Sequence, residues 1–242
     1  MLNVIKKFLK KHRSNPDEYV FCYNWDNCNS NTNGEYFLID RYAKQWNLCF
    51  DIGTNKGEYA ARIKKVNPAI RVVCFEPNNN LNNLIRSNGL TEIHNFIIGD
   101  QNGKAIIYIN HELPSQSSIH RKPKNSQKVE VRSVTLDKFC NDNNIKNISF
   151  IKIDTEGHEV AVLKGAQNLI NHQLIGMIQF EYGGTFLDSR TTLRDVYNIL
   201  SKNYIISHVL PNGILPLPYS NILETYRYSN WLVISRNIFK YL

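Results

Sequence analysis

Two short segments about a hundred residues apart constrain this chain more than anything else in it. They are Phe50-Asp51-Ile52-Gly53-Thr54-Asn55-Lys56-Gly57 and Ile151-Lys152-Ile153-Asp154-Thr155-Glu156-Gly157-His158-Glu159. Each reads as an apolar strand that ends on a carboxylate and opens through glycine into a helix. In an open α/β sheet, such strand ends are where ligands and reactive groups collect.

The segments between them keep the same rhythm. From residue 48 the hydrophobic periodicity predicts strand 48–52, helix 59–66, strand 71–75, helix 81–87 and strand 93–98, a parallel, doubly wound beginning. Stretches 105–109 and 129–134 read as two further strands that break the simple alternation. Thr135 is placed to cap a short helix through residue 139 before strand 149–153. Val160, Leu163, Ala166 and Ile170 mark one helix, 175–180 a strand ending at Glu181, and 192–200 a helix. Strands 204–210 and 231–235 flank a Pro-rich loop with no helix between them. The expectation is an α/β fold with a mostly parallel sheet of about seven strands, helices on both faces and an antiparallel closing hairpin. Residues 41–242 are assigned to one domain and residues 1–40 to a leader.

Composition excludes several classes. With 42% hydrophobic and 21% charged residues the chain has the make-up of a folded domain, not of a disordered or collagen-like one. No apolar run approaches the roughly 20 residues needed to cross a bilayer, and the N-terminus lacks a secretory signal pattern, so a cytoplasmic location is expected. The five cysteines are read as reduced, and Cys22 with Cys28 lacks a second ligand pair for zinc. The net charge of +8 is concentrated: Lys6, Lys7, Lys10, Lys11 and Arg13 precede any acid, with Leu2, Ile5, Phe8 and Leu9 at helical spacing opposite them. This is read as a terminal amphipathic helix packing on the domain, with peripheral membrane or partner contact as the alternative. The basic stretch His120-Arg121-Lys122-Pro123-Lys124 lacks interleaved aromatics and reads as a loop, not a specific nucleic-acid surface.

The first junction suits a sulfonium nucleoside. Gly53 and Gly57 allow close backbone approach and a free choice of φ. Glu76, in Phe75-Glu76-Pro77 at the next strand tip, is placed to accept a ribose diol, as acids about twenty residues after the glycine turn do in dinucleotide folds. Asp51 can face a ligand ammonium group. The Gly-x-Gly-x-x-Gly pattern of nicotinamide folds is absent, because Asp51 and Asn55 stand where glycines would be needed. S-adenosylmethionine, whose amino acid tail is cationic, is therefore the expected cofactor. Asp100 is a candidate for the adenine edge, with an ordinary turn at 100–103 as the alternative.

The second junction carries the chemistry. In an extended segment Asp154, Glu156 and His158 share a face, and methyl transfer to a hydroxyl needs in-line approach and one proton acceptor. The spacing leaves open which of the three is the base, and it provides no dedicated metal-ligand set. Tyr182, Tyr219, Tyr226 and Trp231 are candidates to stack on sugar faces, with a place in the core as the alternative for Trp231, which opens a strand. A nucleic-acid methyltransferase is disfavoured by the lack of an Asn/Asp-Pro-Pro-aromatic tetrad and of a Pro-Cys nucleophile. A module that binds the donor without catalysis is the third reading.

These residues resemble the FkbM-type family of S-adenosylmethionine-dependent methyltransferases. The segment 150–159 followed by Val162-Leu163-Lys164-Gly165-Ala166 is similar to the family's Lys-x-Asp-x-Glu-Gly-x-Glu and Leu-x-Gly-Ala, and 51–57 is similar to its Asp-x-Gly-Ala-Asn-x-Gly, with Thr54 in the alanine position. Val134-Thr135-Leu136-Asp137 resembles its Thr-Leu-Asp, and Ser117-Ser118-Ile119 its serine-containing loop. The resemblance implies a seven-stranded Rossmann-like sheet and O-methylation of a sugar, glycan or natural-product acceptor. It implies that Asp51, Gly53, Asn55, Gly57 and Glu76 hold the cofactor, and that Asp154, Glu156 and Ser118 border the transfer site; Thr54 and Pro77, in the same two segments, are further cofactor-binding candidates. His158 falls at the family's variable position.

Overall fold

The computed structural model describes residues 24–239. The elements, in order, are α1 (Glu35–Tyr42), β1 (Leu48–Ile52), α2 (Glu58–Val66), β2 (Arg71–Phe75), α3 (Asn82–Ser87), β3 (Glu92–His94), β4 (Ile97–Ile98), β5 (Gly103–Asn110), β6 (Ser126–Val134), α4 (Leu136–Asp142), β7 (Ile148–Ile153), α5 (Glu159–Lys164), α6 (Gln167–Asn171), β8 (Ile175–Tyr182), α7 (Thr185–Ser189), α8 (Leu193–Leu200), β9 (Tyr204–Leu210), β10 (Gly213–Pro216), β11 (Ser229–Ser235) and α9 (Arg236–Phe239).

Eight strands form the main sheet in the order β10-β9-β11-β8-β7-β1-β2-β3. The run β8-β7-β1-β2-β3 is parallel, whereas β11 is antiparallel to both β8 and β9, between which it inserts. Order reverses between β1 and β7, which is the switch point where an open α/β sheet leaves a crevice at its carboxyl edge. The period of two along each strand separates two cores. Phe50, Ile52, Ile151 and Ile153 enter one beneath α4, α5, α6 and α8, while Cys49 and Phe150 enter the other beneath α1, α2 and α3.

The sheet has one strand more than expected. β10 lies in the stretch read as a Pro-rich loop and pairs antiparallel with β9. Pro216 is tolerated because β10 is the edge strand, where the missing N–H costs no ladder bond. The strand read at 93–98 divides into β3, which stays in the main sheet, and β4, which joins a three-stranded sheet β4-β6-β5. The break falls at Asn95, whose side-chain amide donates to the Glu76 carbonyl at 2.7 Å and to Asn82 Oδ1 at 2.9 Å. The helix read over 160–170 also divides, into α5 and α6. A Cβ on Gly165 would overlap the carbonyl oxygen of Gly99, and the Asp137 carboxylate accepts from the Asn168 and Leu169 amides at 2.8 and 3.0 Å to start the second helix.

The segment assigned to the leader, residues 1–40, includes the start of α1, whose Leu38 and Ile39 are wholly buried in the second core. The basic amphipathic helix expected over the first thirteen residues, and Cys22, lie outside the described residues. Cys49, Cys74 and Cys140 are free and buried, and Cys28 is free and exposed. Among the described residues no helix is long and apolar enough to cross a membrane.

Candidate active site

Two adjoining chambers open at the carboxyl edge of β1, β2, β7 and β8. The first, about 260 Å³, is walled by Phe75, Glu76, Pro77, Phe96, Ser118 and Glu156 among others. The second, about 300 Å³, is walled by Glu35, Asp51, Thr54, Tyr59 and Lys152 among others. Gly53, Asn55, Pro114, Ser115 and Asp154 belong to both walls, so Asp154 stands where the chambers meet.

Local conformation explains why these side chains gather there. Gly53 has φ +84°, and a Cβ on it would overlap the carbonyl oxygen of Asp154. The tip of β1 therefore passes directly against the tip of β7, at a distance that only glycine permits. Gly53→Ala is expected to destabilise the protein by about 2–4 kcal/mol, combining a left-handed φ with a backbone overlap. Denaturant unfolding checks this, and an unchanged midpoint would refute the close approach. Asn55 and Glu156 also occupy left-handed φ, +50° and +53°, a conformation that is uncommon outside glycine and concentrates at functional loops.

Hydrogen bonds fix the acids. Glu76 Oε2 accepts from the Asn55 amide and Oε1 from the Asn78 amide, both at 2.8 Å. Glu159 Oε1 accepts from the Thr155 amide, the Thr155 hydroxyl and the Gly157 amide at 2.9, 3.0 and 3.3 Å, so this buried acid ties the loop between β7 and α5. Ser118 Oγ donates to the Glu156 carbonyl at 3.2 Å, which pins the 111–125 loop over the first chamber.

So many carboxylates in so little water raise one another's pKa. Burial is the main cause in each case. It brings Glu76 up to about 7, against the two amides. It brings Asp51 to about 7, with Lys152 opposing and Asp154 and Glu76 adding. Glu156 reaches about 8, with Asp154 and Glu159 adding and Arg121 opposing. Glu181 is raised well above the usual carboxylate range by burial and then by Asp154. His158 moves the other way, to about 4, through burial and then His120, whose Nε2 lies 3.0 Å from His158 Nδ1.

Of the residues singled out from sequence, Gly53, Asn55, Glu76, Pro77, Asp154, Glu156 and His158 wall the first chamber, and Asp51 and Thr54 wall the second. Gly57 and Asp100 wall neither. Gly57 starts α2 at φ +84° with Leu90 packed where its side chain would be. Asp100 is exposed, because β4 ends after two residues and turns away with the small sheet; its charge acts on His120 and His158 instead. None of the four candidate stacking aromatics walls either chamber. Trp231 and Tyr182 are wholly buried in the first core, Tyr219 lies against Arg194 and Tyr197, and Tyr226 packs on Tyr182.

The sequence reading missed Lys152, Glu35 and Tyr59. Lys152 did leave a signal, as a lone cation inside the otherwise apolar strand 148–153. Glu35 left none, since it lies 117 positions from the lysine it contacts. Among the described residues no group of three or more His, Cys, Asp or Glu is arranged to hold a metal ion.

The chambers fit a nucleoside with a charged amino acid tail. Two buried polar atoms on their walls, Asp51 Oδ2 and Asn55 Oδ1, have no hydrogen-bond partner, a costly state unless a ligand completes it. The methyltransferase FkbM domain family matches residues 51–206. A 2-O-methyltransferase, NoeI, of Sinorhizobium fredii is 24% identical over 198 residues, covering 73% of this chain and 80% of that protein. Among solved structures, a methyltransferase FkbM from Methylobacillus flagellatus superposes with a TM-score of 0.47 at 16% identity, over 79% of this chain and 44% of that longer one. An O-methyltransferase from Bacillus cereus in complex with SAH superposes with a TM-score of 0.48 at 13% identity, over 96% of this chain and 97% of that one.

Proposed function

We propose, from the premise that this chain belongs to the FkbM methyltransferase family, that it transfers the methyl group of S-adenosylmethionine, its cofactor, to a hydroxyl of a sugar or glycan precursor. The observation that carries this reading is the place of Asp154 at the junction of the two chambers, with Glu156 and Glu181 on the wall of the first.

In this reading the adenosine half of the donor lies in the first chamber. Glu76 accepts the ribose hydroxyls with the lone pairs its two amide partners leave free, and Phe75, Pro77, Phe96 and Ile97 enclose the base. The amino acid half lies in the second chamber, where Asp51 Oδ2 receives the ammonium group and Gly53 and Asn55 admit the chain between the halves. When bound, the donor supplies an electrophilic methyl carbon on a sulfonium. Asp154 orients the acceptor hydroxyl toward that junction. Glu156 is the proposed proton acceptor, since a carboxyl near 8 is a stronger base than an ordinary one and still partly ionised at neutral pH. His158, neutral at pH 7 and engaged by His120, is the alternative acceptor on the same wall.

A hydroxyl acceptor is supported by the chemistry of the wall. Carboxylates and serine hydroxyls accept and donate hydrogen bonds to alcohols, and Ser115, Ser117 and Ser118 face the same space as Asp154, Glu156 and Glu181. The relative named a 2-O-methyltransferase supports oxygen as the atom methylated.

The test is to incubate the protein with label-bearing donor and with glycans and activated sugars from its host, then look by mass spectrometry for a gain of one methyl as an ether. Label in nucleic acid, or donor binding without transfer to any glycan fraction, would overturn the proposal; the second result would leave a donor-binding module.

A further inference from the structure

A row of polar side chains crosses the main sheet on the face that α1 and α2 cover. Asp51 of β1 is the register partner of Lys152 of β7, and Lys152 of Gln179 of β8, so all three side chains leave the sheet on one side. Each is at most 2% exposed. Lys152 Nζ lies 3.0 Å from Glu35 Oε1 and 3.5 Å from Asp154 Oδ2, and 5.4 Å from the centre of the Tyr59 ring. Gln179 donates to Glu35 Oε1 at 3.0 Å and accepts from the Tyr59 hydroxyl at 2.6 Å. Glu35 Oε2 accepts from Ser30 and Asn33 at 3.1 and 3.0 Å.

Stability does not explain this row. A buried ion pair contributes little to stability, because desolvation offsets its attraction, and apolar residues fill such a place at least as well. Its position does explain it: Glu35, Asp51, Tyr59, Lys152 and Asp154 all wall the second chamber. The groups that act on Asp51 there are Lys152 of β7 and Asp154 just beyond it, Cys74 of β2 and Glu76 just beyond it, Cys49 from its own strand, Tyr59 from α2 and the Thr54 hydroxyl, with Glu35 of α1 on the same wall. Lys152 is the cation of that set. Burial works against its charge, but Glu35, Asp154 and Glu181 outweigh burial and hold it protonated.

We propose that Lys152, clamped by Glu35, is a positioning residue that keeps Asp51 ionised and thereby sets how tightly the ammonium group of the donor is held. The inference rests on the assignment of the second chamber to the amino acid half of the donor. It gives Glu35, which lies outside the matched segment 51–206, control over a ligand group through two intervening charges.

The test compares two probes by titration calorimetry. S-adenosylhomocysteine carries the ammonium group, and methylthioadenosine lacks the amino acid entirely. Neither needs an acceptor. For the unaltered protein, the affinity for S-adenosylhomocysteine relative to that for methylthioadenosine is expected to fall about tenfold from pH 8 to pH 6. Asp51, near 7, takes up a proton over that range and loses its attraction for the ammonium, one pH unit below the pKa leaving about a tenth ionised. Glu76, also near 7, acts on the ribose that both probes carry, so its titration moves the two affinities alike and cancels in their ratio.

In Lys152→Met the Asp51 carboxyl rises further, so at pH 7.5 S-adenosylhomocysteine should bind at least about tenfold more weakly, with methylthioadenosine unchanged. Glu35→Gln combined with Lys152→Met removes both charges of the pair and serves if the single variant does not fold; the same split between probes is expected. Equal weakening of both probes would show a merely structural role and overturn the inference. So would a ratio of the two affinities that is flat from pH 6 to 8, or unchanged binding in the variants. Failure of the unaltered protein to bind S-adenosylhomocysteine at any pH would instead overturn the donor assignment itself.

Discussion

Asp154→Asn lowers methyl transfer by about 10²-fold, the loss that a misoriented acceptor typically causes, while S-adenosylhomocysteine affinity stays within about threefold of the parent. The expectation follows from where this side chain sits. Its backbone amide donates to the Ile52 carbonyl at 2.9 Å, so the residue is held to β1 by a bond that the substitution leaves intact. Its carboxylate lies 3.5 Å from Lys152 and walls both chambers. Asparagine keeps the shape and removes the charge, so what is lost is the ability to hold and orient the acceptor hydroxyl at the junction. Single-turnover rates with saturating donor separate this from binding. Turnover within threefold of the parent would remove Asp154 from the positioning of the acceptor and leave that role to Glu181 or His158.

Glu76→Ala weakens donor binding by about a hundredfold, the equivalent of losing two charge-assisted hydrogen bonds at about 1.5 kcal/mol or a little less each. Glu76 is 7% exposed, and its two oxygens already organise the turns that begin at Asn55 and Asn78. Removing it therefore deletes a ribose acceptor and also leaves two amides without their partner. Methylthioadenosine, which retains the ribose, should lose affinity by the same factor as S-adenosylhomocysteine. That equal loss distinguishes Glu76 from Lys152, whose replacement is expected to affect only the ligand with the amino acid. Full affinity for either ligand without Glu76 would place the ribose elsewhere in the crevice.

The strands were legible because an alternation of β-branched and aromatic residues has few other uses, and β1, β2 and β9 fall where the periodicity puts them. The acids Asp51, Glu76 and Asp154 were legible because each ends such a strand, and strand ends at the carboxyl edge of a parallel sheet face one crevice whatever the helices do. Asp100 was misplaced by the same logic: Ile97 and Ile98 of β4 do wall the first chamber, but β4 ends there and Asp100, two residues on, is exposed. The division of one expected helix at Gly165 depends on a carbonyl from Gly99 and a carboxylate from Asp137, neither of which a helical pattern can announce. Tyr182 looked like surface for a sugar, and Trp231 as much like surface as core, because aromatic composition does not tell which face of a strand is covered.

The order of apolar and polar residues along this chain was sufficient to specify an α/β sheet with two ligand-bearing strand tips, since period and glycine placement act over a few neighbouring positions. The charge state of those tips was decided in three dimensions. Glu35 meets Lys152 across 117 residues, His120 meets His158 across 38, and burial of one acid depends on which others surround it. Electrostatic energy follows distance and dielectric through space, and neither quantity has a counterpart in separation along the chain.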